Sequence, residues 1–284
     1  MTDVIVHRHP TPDGTVLTVR TLPGKGDPLV LLHGFTGDGT TMQAIGEDAR
    51  RGRPAVMIDL IGHGESEAPT TIEPYRMPSV VDQILSIVGS QPYGTVHLAG
   101  YSMGGRVALS MAARAPWYFA SVTSISSTAG IEDPIERQAR YEADQARADH
   151  LESVGIDAFI DEWLALPMFS PLSARLTETE REATIAQRRR NRGTGLGNSL
   201  RATGTGSMPP VWESLASLRS PLLAIAGSLD AAYVEHATHL AEVCPFGTQA
   251  TVTDAGHALP LEDPTAVATL LGDFLESCDE RGRP

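Results

Sequence analysis

Three side chains, far apart along the chain, have the types and the order needed to activate a nucleophile. Ser102 sits in "GYSMGGR", whose first five letters fit a G-x-S-x-G pattern. In that pattern the chain turns so sharply at the serine that the positions two before and two after must be small, as Gly100 and Gly104 are. A serine hydroxyl becomes reactive when a histidine takes its proton and a carboxylate orients the histidine. Asp230 follows "PLLAIAGSL", 128 residues after the serine, and His257 lies in "DAGHALPLEDP", 27 residues further on. That gives the order serine, acid, histidine. Asp254, three residues before His257, reads as a turn residue instead. His236 and His239 fall on a helical stretch and read as surface residues, so no metal is expected.

The chemistry also needs backbone donors for a developing oxyanion. The amides of Phe35, in "LLHGF", and of Met103, just after the serine, are the candidates. His33 reads as a structural residue closing its loop. "DLIGHGES" is glycine-rich but lacks a G-x-G-x-x-G register, so it shapes a loop and does not mark a dinucleotide site. No cofactor is implied.

These residues need a scaffold that brings distant strand ends together. "VIVHRH" and "TVLTVR", split by "PTPDG", predict an N-terminal hairpin. Continuous apolar runs follow at "PLVLLHG", "AVMIDL", "TVHLAG", "SVTSIS", "PLLAIAG" and "QATVTDAG", each reading as a strand buried on both faces. Helical stretches at 39–51, 77–90, 103–115, 233–243 and 264–277 separate most of them. The alternation predicts an α/β fold with a mostly parallel eight-stranded sheet and helices on both faces. Between "SISSTAG" and "SPLLAIAG" the rhythm breaks. "ERQARYEADQARADHLESV", "IDAFIDEWLAL" and "TETEREATIAQRRR" are amphipathic helical patterns, read as a cap over the sheet's C-terminal edge. The predicted division is a core of residues 1–128 and 209–284, with a helical cap at 129–208. The tail "SCDERGRP" is expected to fray.

Bulk properties narrow the function classes. With 41% hydrophobic and 20% charged residues, the 284-residue chain has the composition of a soluble globular protein. The net charge of −13 argues against nucleic acid or an anionic membrane surface as a partner. No apolar run reaches the length of a membrane span, and the N-terminus lacks a signal-peptide pattern, so a cytoplasmic location is expected. Cys244 and Cys278 are far apart and read as unpaired. Lys25 is the one lysine, so any anion clamp must be built from arginine. From Leu172 to Met208 seven arginines face three glutamates, locally basic in an acidic chain. Oligomeric state is left open.

The ordered set "LLHGF", "DLIGHGES", "GYSMGGR", the aspartate after "LLAIAG", and "AGHALPLEDP" resembles the α/β-hydrolase fold superfamily over residues 28–276. "GYSMGGRVAL" and "RNRGTGLGNSLRATGTGSMPPVWESL" are similar to a narrower family, the 2-succinyl-6-hydroxy-2,4-cyclohexadiene-1-carboxylate synthases of menaquinone biosynthesis. That family eliminates pyruvate from 2-succinyl-5-enolpyruvyl-6-hydroxy-3-cyclohexene-1-carboxylate. The resemblance implies that Ser102, activated by His257 and Asp230, removes a ring proton. It also implies anion-binding roles for Arg106, Arg140 and Arg188, and pocket roles for the aromatics Tyr101 and Trp163. A small polycarboxylate substrate suits such arginines, whose forks hold carboxylates bidentately. Three positions depart from the family pattern: Pro260 stands for a second histidine, Met208 for a glutamine, and "DAAYVE" lacks a lysine. The alternative is a carboxylesterase or C–C bond hydrolase using the same three residues. A ligand-binding protein that has kept the fold is a third reading.

Overall fold

The computed structural model describes residues 4–90 and 94–281. Eight strands form one sheet: β1 (Ile5–Pro10), β2 (Val16–Leu22), β3 (Leu29–Leu32), β4 (Ala55–Ile58), β5 (Val96–Tyr101), β6 (Phe119–Ile125), β7 (Leu222–Gly227) and β8 (Gly247–Val252). Their order across the sheet is β1-β2-β4-β3-β5-β6-β7-β8. β1 and β2 join antiparallel, as does β2 with β4, and every later pairing is parallel.

The apolar runs explain the layers. Successive side chains of a strand point to opposite faces. Val30 and Leu32 therefore pack on one side of β3 while Leu29 and Leu31 pack on the other. The first face is covered by α2 (Met77–Gly89) and α3 (Met103–Arg114), the second by α1 (Gln43–Ala49) and the C-terminal helix. β3, β4 and β5 are sandwiched this way and fully buried, so their side chains are almost all apolar, and the buried His97 of β5 is paired with Ser121 Oγ at 2.8 Å.

Between β6 and β7 the chain forms α4 (Pro134–Leu164), α5 (Ser170–Arg175), α6 (Glu178–Arg189), α7 (Gly193–Thr203) and the short α8 (Trp212–Leu215). After β7 come α9 (Ala231–Val243), then β8, α10 (Leu259–Glu262) and α11 (Pro264–Arg281). Asp133 caps α4 by accepting from the amides of Ile135 and Glu136, and Thr177 with Glu180 forms a capping box at α6. The inserted helices have a small core of their own, in which Ala148, Leu151, Phe159, Ile160, Leu196 and Leu200 meet.

Four expectations need correction. The run 249–256 was expected to be a strand buried on both faces. Instead β8 is the sheet's edge, and of its six residues only Val252 is buried. The stretch 39–51 is a 3-10 turn at Gly39–Met42 followed by α1, because Asp38 and Thr41 cap that turn reciprocally. The first two cap patterns form one bent helix, α4, with Gly155 non-helical at φ 81° where glycine alone is unstrained. The expected frayed tail is helical through Arg281: Cys278 is buried and Asp279 pairs with Arg53. Residues 282–284 of that tail lie outside the described residues. Among the described residues no helix is long and apolar enough to cross a membrane.

Candidate active site

The parallel strands end on one edge of the sheet, and the chemistry-bearing residues follow those ends. Ser102 comes directly after β5, Asp230 three residues after β7, and His257 five residues after β8. Ser102 takes φ 51° and ψ −109°, a strained conformation for a side chain that turns strand into helix. Its amide donates to Ile125 O at 2.9 Å, tying the turn to β6. The flanking glycines are steric necessities. A Cβ on Gly100 would stand 2.2 Å from Gly104 O, and one on Gly104 would stand 2.3 Å from Leu32 O.

The geometry then closes. His257 Nδ1 lies 2.8 Å from Asp230 Oδ2, and Nε2 lies 3.0 Å from Ser102 Oγ. A carboxylate on Nδ1 holds the proton there, so Nε2 accepts from the serine hydroxyl. The His257 ring is 2% exposed, with the ring of Tyr233 at 4.5 Å and that of Tyr101 at 5.7 Å. Glu262, on α10, accepts from the amides of Gly256 at 2.6 Å and Ala258 at 2.8 Å, bracketing the histidine on both sides.

A cavity of about 390 Å³ opens over Ser102. Phe35, Met103, Tyr101 and Trp163 all line it. Phe35 and Trp163 meet edge to face at 5.1 Å, and Trp163 stacks on Phe159 at 6.1 Å, giving one apolar wall. Arg106 lies in the first turn of α3, lines the same cavity and is 8% exposed. It donates to Thr203 O at 3.1 Å, while its Nε has no partner among the described residues. Burial pushes its guanidinium down from its ordinary value to about 10, with the nearby charge of Arg140 acting in the same direction. It therefore stays cationic at neutral pH. Arg140, on α4, lines the same cavity and pairs with Asp144 at 2.9 Å.

Arg188 is placed differently. It is 5% exposed and donates to Thr184 O at 3.3 Å, but it does not line the cavity. Its charge acts on Tyr101, opposing the burial that raises that phenol. Its neighbours in "RRRNR" turn outward: Arg189 pairs with Asp161 at 2.7 Å and Arg190 is two-thirds exposed.

The loops behind the site are set by buried polar groups. His33 Nδ1 donates to Gly34 O at 2.8 Å, and Nε2 accepts from the Leu60 amide at 2.9 Å, closing the loop after β3. Asp59 accepts from the amides of Gly39 at 2.7 Å and Glu65 at 2.9 Å and pairs with Arg20, which organises "DLIGHGES". Asp254 has φ 59° and sits in a turn. His239 stacks on Trp212 at 4.3 Å, and no metal-binding group occurs among the described residues. Met208 is fully buried in the core and Pro260 lies in α10, both without a polar role.

Four residues at or beside the site escaped sequence reasoning: Tyr233, Glu262, Asp144 and Arg147. Arg140, Asp144 and Arg147 recur at helical spacing, so their common face was visible once α4 was drawn as a helix. Glu262 and Tyr233 had no such signal.

The profile of the alpha/beta hydrolase fold matches residues 27–264. An Enterobacter sp. (strain 638) protein named 2-succinyl-6-hydroxy-2,4-cyclohexadiene-1-carboxylate synthase is 31% identical over 92% of this chain and 96% of its own. A Bacillus subtilis (strain 168) protein, to which the same name is provisionally attached, is 32% identical over 90% of this chain and 92% of its own. The structure of MenH from S. aureus superposes with a TM-score of 0.87 at 28% identity, covering 92% of this chain and 98% of that one. The chain belongs to the α/β-hydrolase fold family and, within it, to the family of the 2-succinyl-6-hydroxy-2,4-cyclohexadiene-1-carboxylate synthases.

Proposed function

We propose that this protein is a lyase of menaquinone biosynthesis. It eliminates pyruvate from 2-succinyl-5-enolpyruvyl-6-hydroxy-3-cyclohexene-1-carboxylate to give 2-succinyl-6-hydroxy-2,4-cyclohexadiene-1-carboxylate. The observation that carries this reading is a buried Arg106, with no ion-pair partner among the described residues, in the same cavity as a serine hydrogen-bonded to histidine. A neutral ester gains nothing from a desolvated guanidinium, whereas a carboxylate gains a strong charge-assisted pair.

The chemistry follows from the substrate. The hydrogen on C2 is acidic because the succinyl ketone is attached there. Ser102 Oγ, its proton drawn by His257 Nε2, removes that hydrogen, and Asp230 stabilises the imidazolium. Charge develops on the ketone oxygen, and the amides of Phe35 and Met103 receive it. The C2–H pair becomes the C2=C3 bond, the C3=C4 pair moves to C4=C5, and the C5–O bond breaks. The leaving pyruvate enolate takes the proton back from His257. No water is consumed and no acyl-enzyme forms.

Arg106 and Arg140 hold carboxylates, while Tyr101 and Trp163 shape the wall around the ring. Arg188 acts through Tyr101, whose hydroxyl its charge approaches. Residues 129–208 form the cap and the remainder the core, a division supported by insertion of the helices between β6 and β7. A cytoplasmic location suits a chain read as acidic and soluble. The test is coupled pyruvate release from the enolpyruvyl substrate. Release above the spontaneous rate, lost in Ser102→Ala, supports the lyase. No release together with turnover of p-nitrophenyl acetate supports an esterase instead.

A further inference from the structure

One face of α4 presents Arg140, Ala143, Asp144 and Arg147 to the cavity. Asp144 is fully buried, yet it is not matched one to one. A single oxygen, Oδ1, accepts from Arg140 Nε at 2.9 Å and from Arg147 Nη1 at 3.4 Å. Each guanidinium has five N–H donors, so sharing one carboxylate oxygen leaves most of both sets unspent. Two like charges brought side by side repel, and one aspartate neutralises only one of them.

The surroundings hold this arrangement in place. Arg147 lies over the Trp163 ring, with Cζ 5.7 Å from its centroid, which fixes the plane of the guanidinium. The segment "TGTGS" runs behind Asp144: a Cβ on Gly204 would stand 2.5 Å from Asp144 Oδ2, and one on Gly206 would stand 2.2 Å from Tyr141 N. The glycines of that motif are therefore the gap that lets the segment seat against α4. At its first residue, Thr203 O takes the hydrogen bond of Arg106, so one short segment links the arginine of the core to the pair on α4. The pair keeps access to the cavity, with Arg140 42% and Arg147 34% exposed along the side chain.

We propose that Arg147 joins Arg140 in holding one substrate carboxylate on the cap side of the cavity, and that Asp144 positions both. Arg147 is thus a substrate-binding residue, and Asp144 is a positioning residue that never touches substrate. Ala143 between them leaves the space a carboxylate needs. The proposal rests on the lyase reading for its substrate. It gives a polycarboxylate a further charged anchor in the cavity that also holds Arg106 and Ser102.

The test is a split of kinetic constants in the full-length protein. Arg147→Gln is expected to raise KM for the enolpyruvyl substrate 10- to 100-fold while kcat stays within about 3-fold, and Arg147→Lys to recover part of the loss. Asp144→Asn, nearly isosteric, is expected to raise KM in the same way, because both arginines lose their bracket. The same variants made on Ser102→Ala, titrated calorimetrically with intact substrate, are expected to show an equal loss of affinity. An unchanged KM and unchanged affinity in Arg147→Gln overturn the subsite. A fall in kcat and thermal stability at constant KM in Asp144→Asn makes that residue structural only and overturns its positioning role. If the wild-type protein releases no pyruvate, the lyase reading fails, and the titration still decides the subsite.

Discussion

Replacing Arg106 with methionine removes a charge that the empty fold has no reason to bury. Burial lowers the guanidinium from its ordinary value to about 10, and at about 1.4 kcal/mol per unit this puts the cost of keeping it charged at about 3.5 kcal/mol. That cost is present at every pH below 10, where the group is protonated in both folded and unfolded chains. Methionine fills similar length without it. Against the relief stands the lost bond to Thr203 O, about 1.5 kcal/mol, with a further penalty of about 1 kcal/mol for the buried carbonyl left unpaired. The balance is a gain of about 1 kcal/mol, which in a chain of this size raises Tm by about 2 °C. Binding moves the other way. Loss of one buried charged contact to a carboxylate costs about 2–5 kcal/mol, so KM should rise at least 30-fold. Differential scanning calorimetry and coupled pyruvate release read both quantities on one preparation. A variant that melts several degrees lower and keeps its KM would refute the reasoning, because Arg106 would then be a structural residue.

Other perturbations probe the supports of the site. Glu262→Gln sets an amide N–H2 against one of the two backbone donors that flank His257. It should cost about 2 kcal/mol of stability and lower kcat more than it raises KM; equal kcat in the variant would count against the clamp. Gly104→Ala forces a Cβ to 2.3 Å from Leu32 O, against backbone that cannot yield, and should abolish activity with a fall in Tm of several degrees. Acid should loosen the fold before any carboxylate titrates. His63 is held neutral by burial, its pKa pushed to about 3 from 6.5, and His33 is shifted the same way. The unfolded chain therefore binds the extra protons, so stability is full above pH 6.5 and falls as pH drops toward 3. His63 alone predicts a loss of about 2 kcal/mol at pH 5. A urea midpoint that stays level between pH 7.5 and 5 would contradict this.

Much of the architecture was legible because each signal came from local physics. Apolar runs between glycine-marked turns produce strands buried on both faces, and the sharp turn at Ser102 demands small neighbours that the letters display. The order serine, aspartate, histidine placed all three residues after strand ends, so their meeting at 2.8 and 3.0 Å needed only the parallel sheet. What stayed hidden depends on side-chain contacts that no motif or periodicity marks. Glu262 reads as one more acid in "LPLEDP" until α10 folds back on the His257 loop. Tyr233 lies in a stretch noticed for a missing lysine, yet its ring is 4.5 Å from the histidine. Asp144 reads as the polar face of an amphipathic helix, and only the approach of Gly204 and Gly206 shows it to be fully buried. β8 differs from the central strands in its letters as well: Thr248, Gln249 and Thr251 are polar, the composition of a half-exposed edge strand.

The most direct test of the central claim is pyruvate release from 2-succinyl-5-enolpyruvyl-6-hydroxy-3-cyclohexene-1-carboxylate, followed with lactate dehydrogenase, in the wild-type protein and in Ser102→Ala. The account predicts rapid stoichiometric release with formation of the conjugated diene, falling to the spontaneous rate when the serine hydroxyl is removed. Release at the spontaneous rate in both proteins would contradict it.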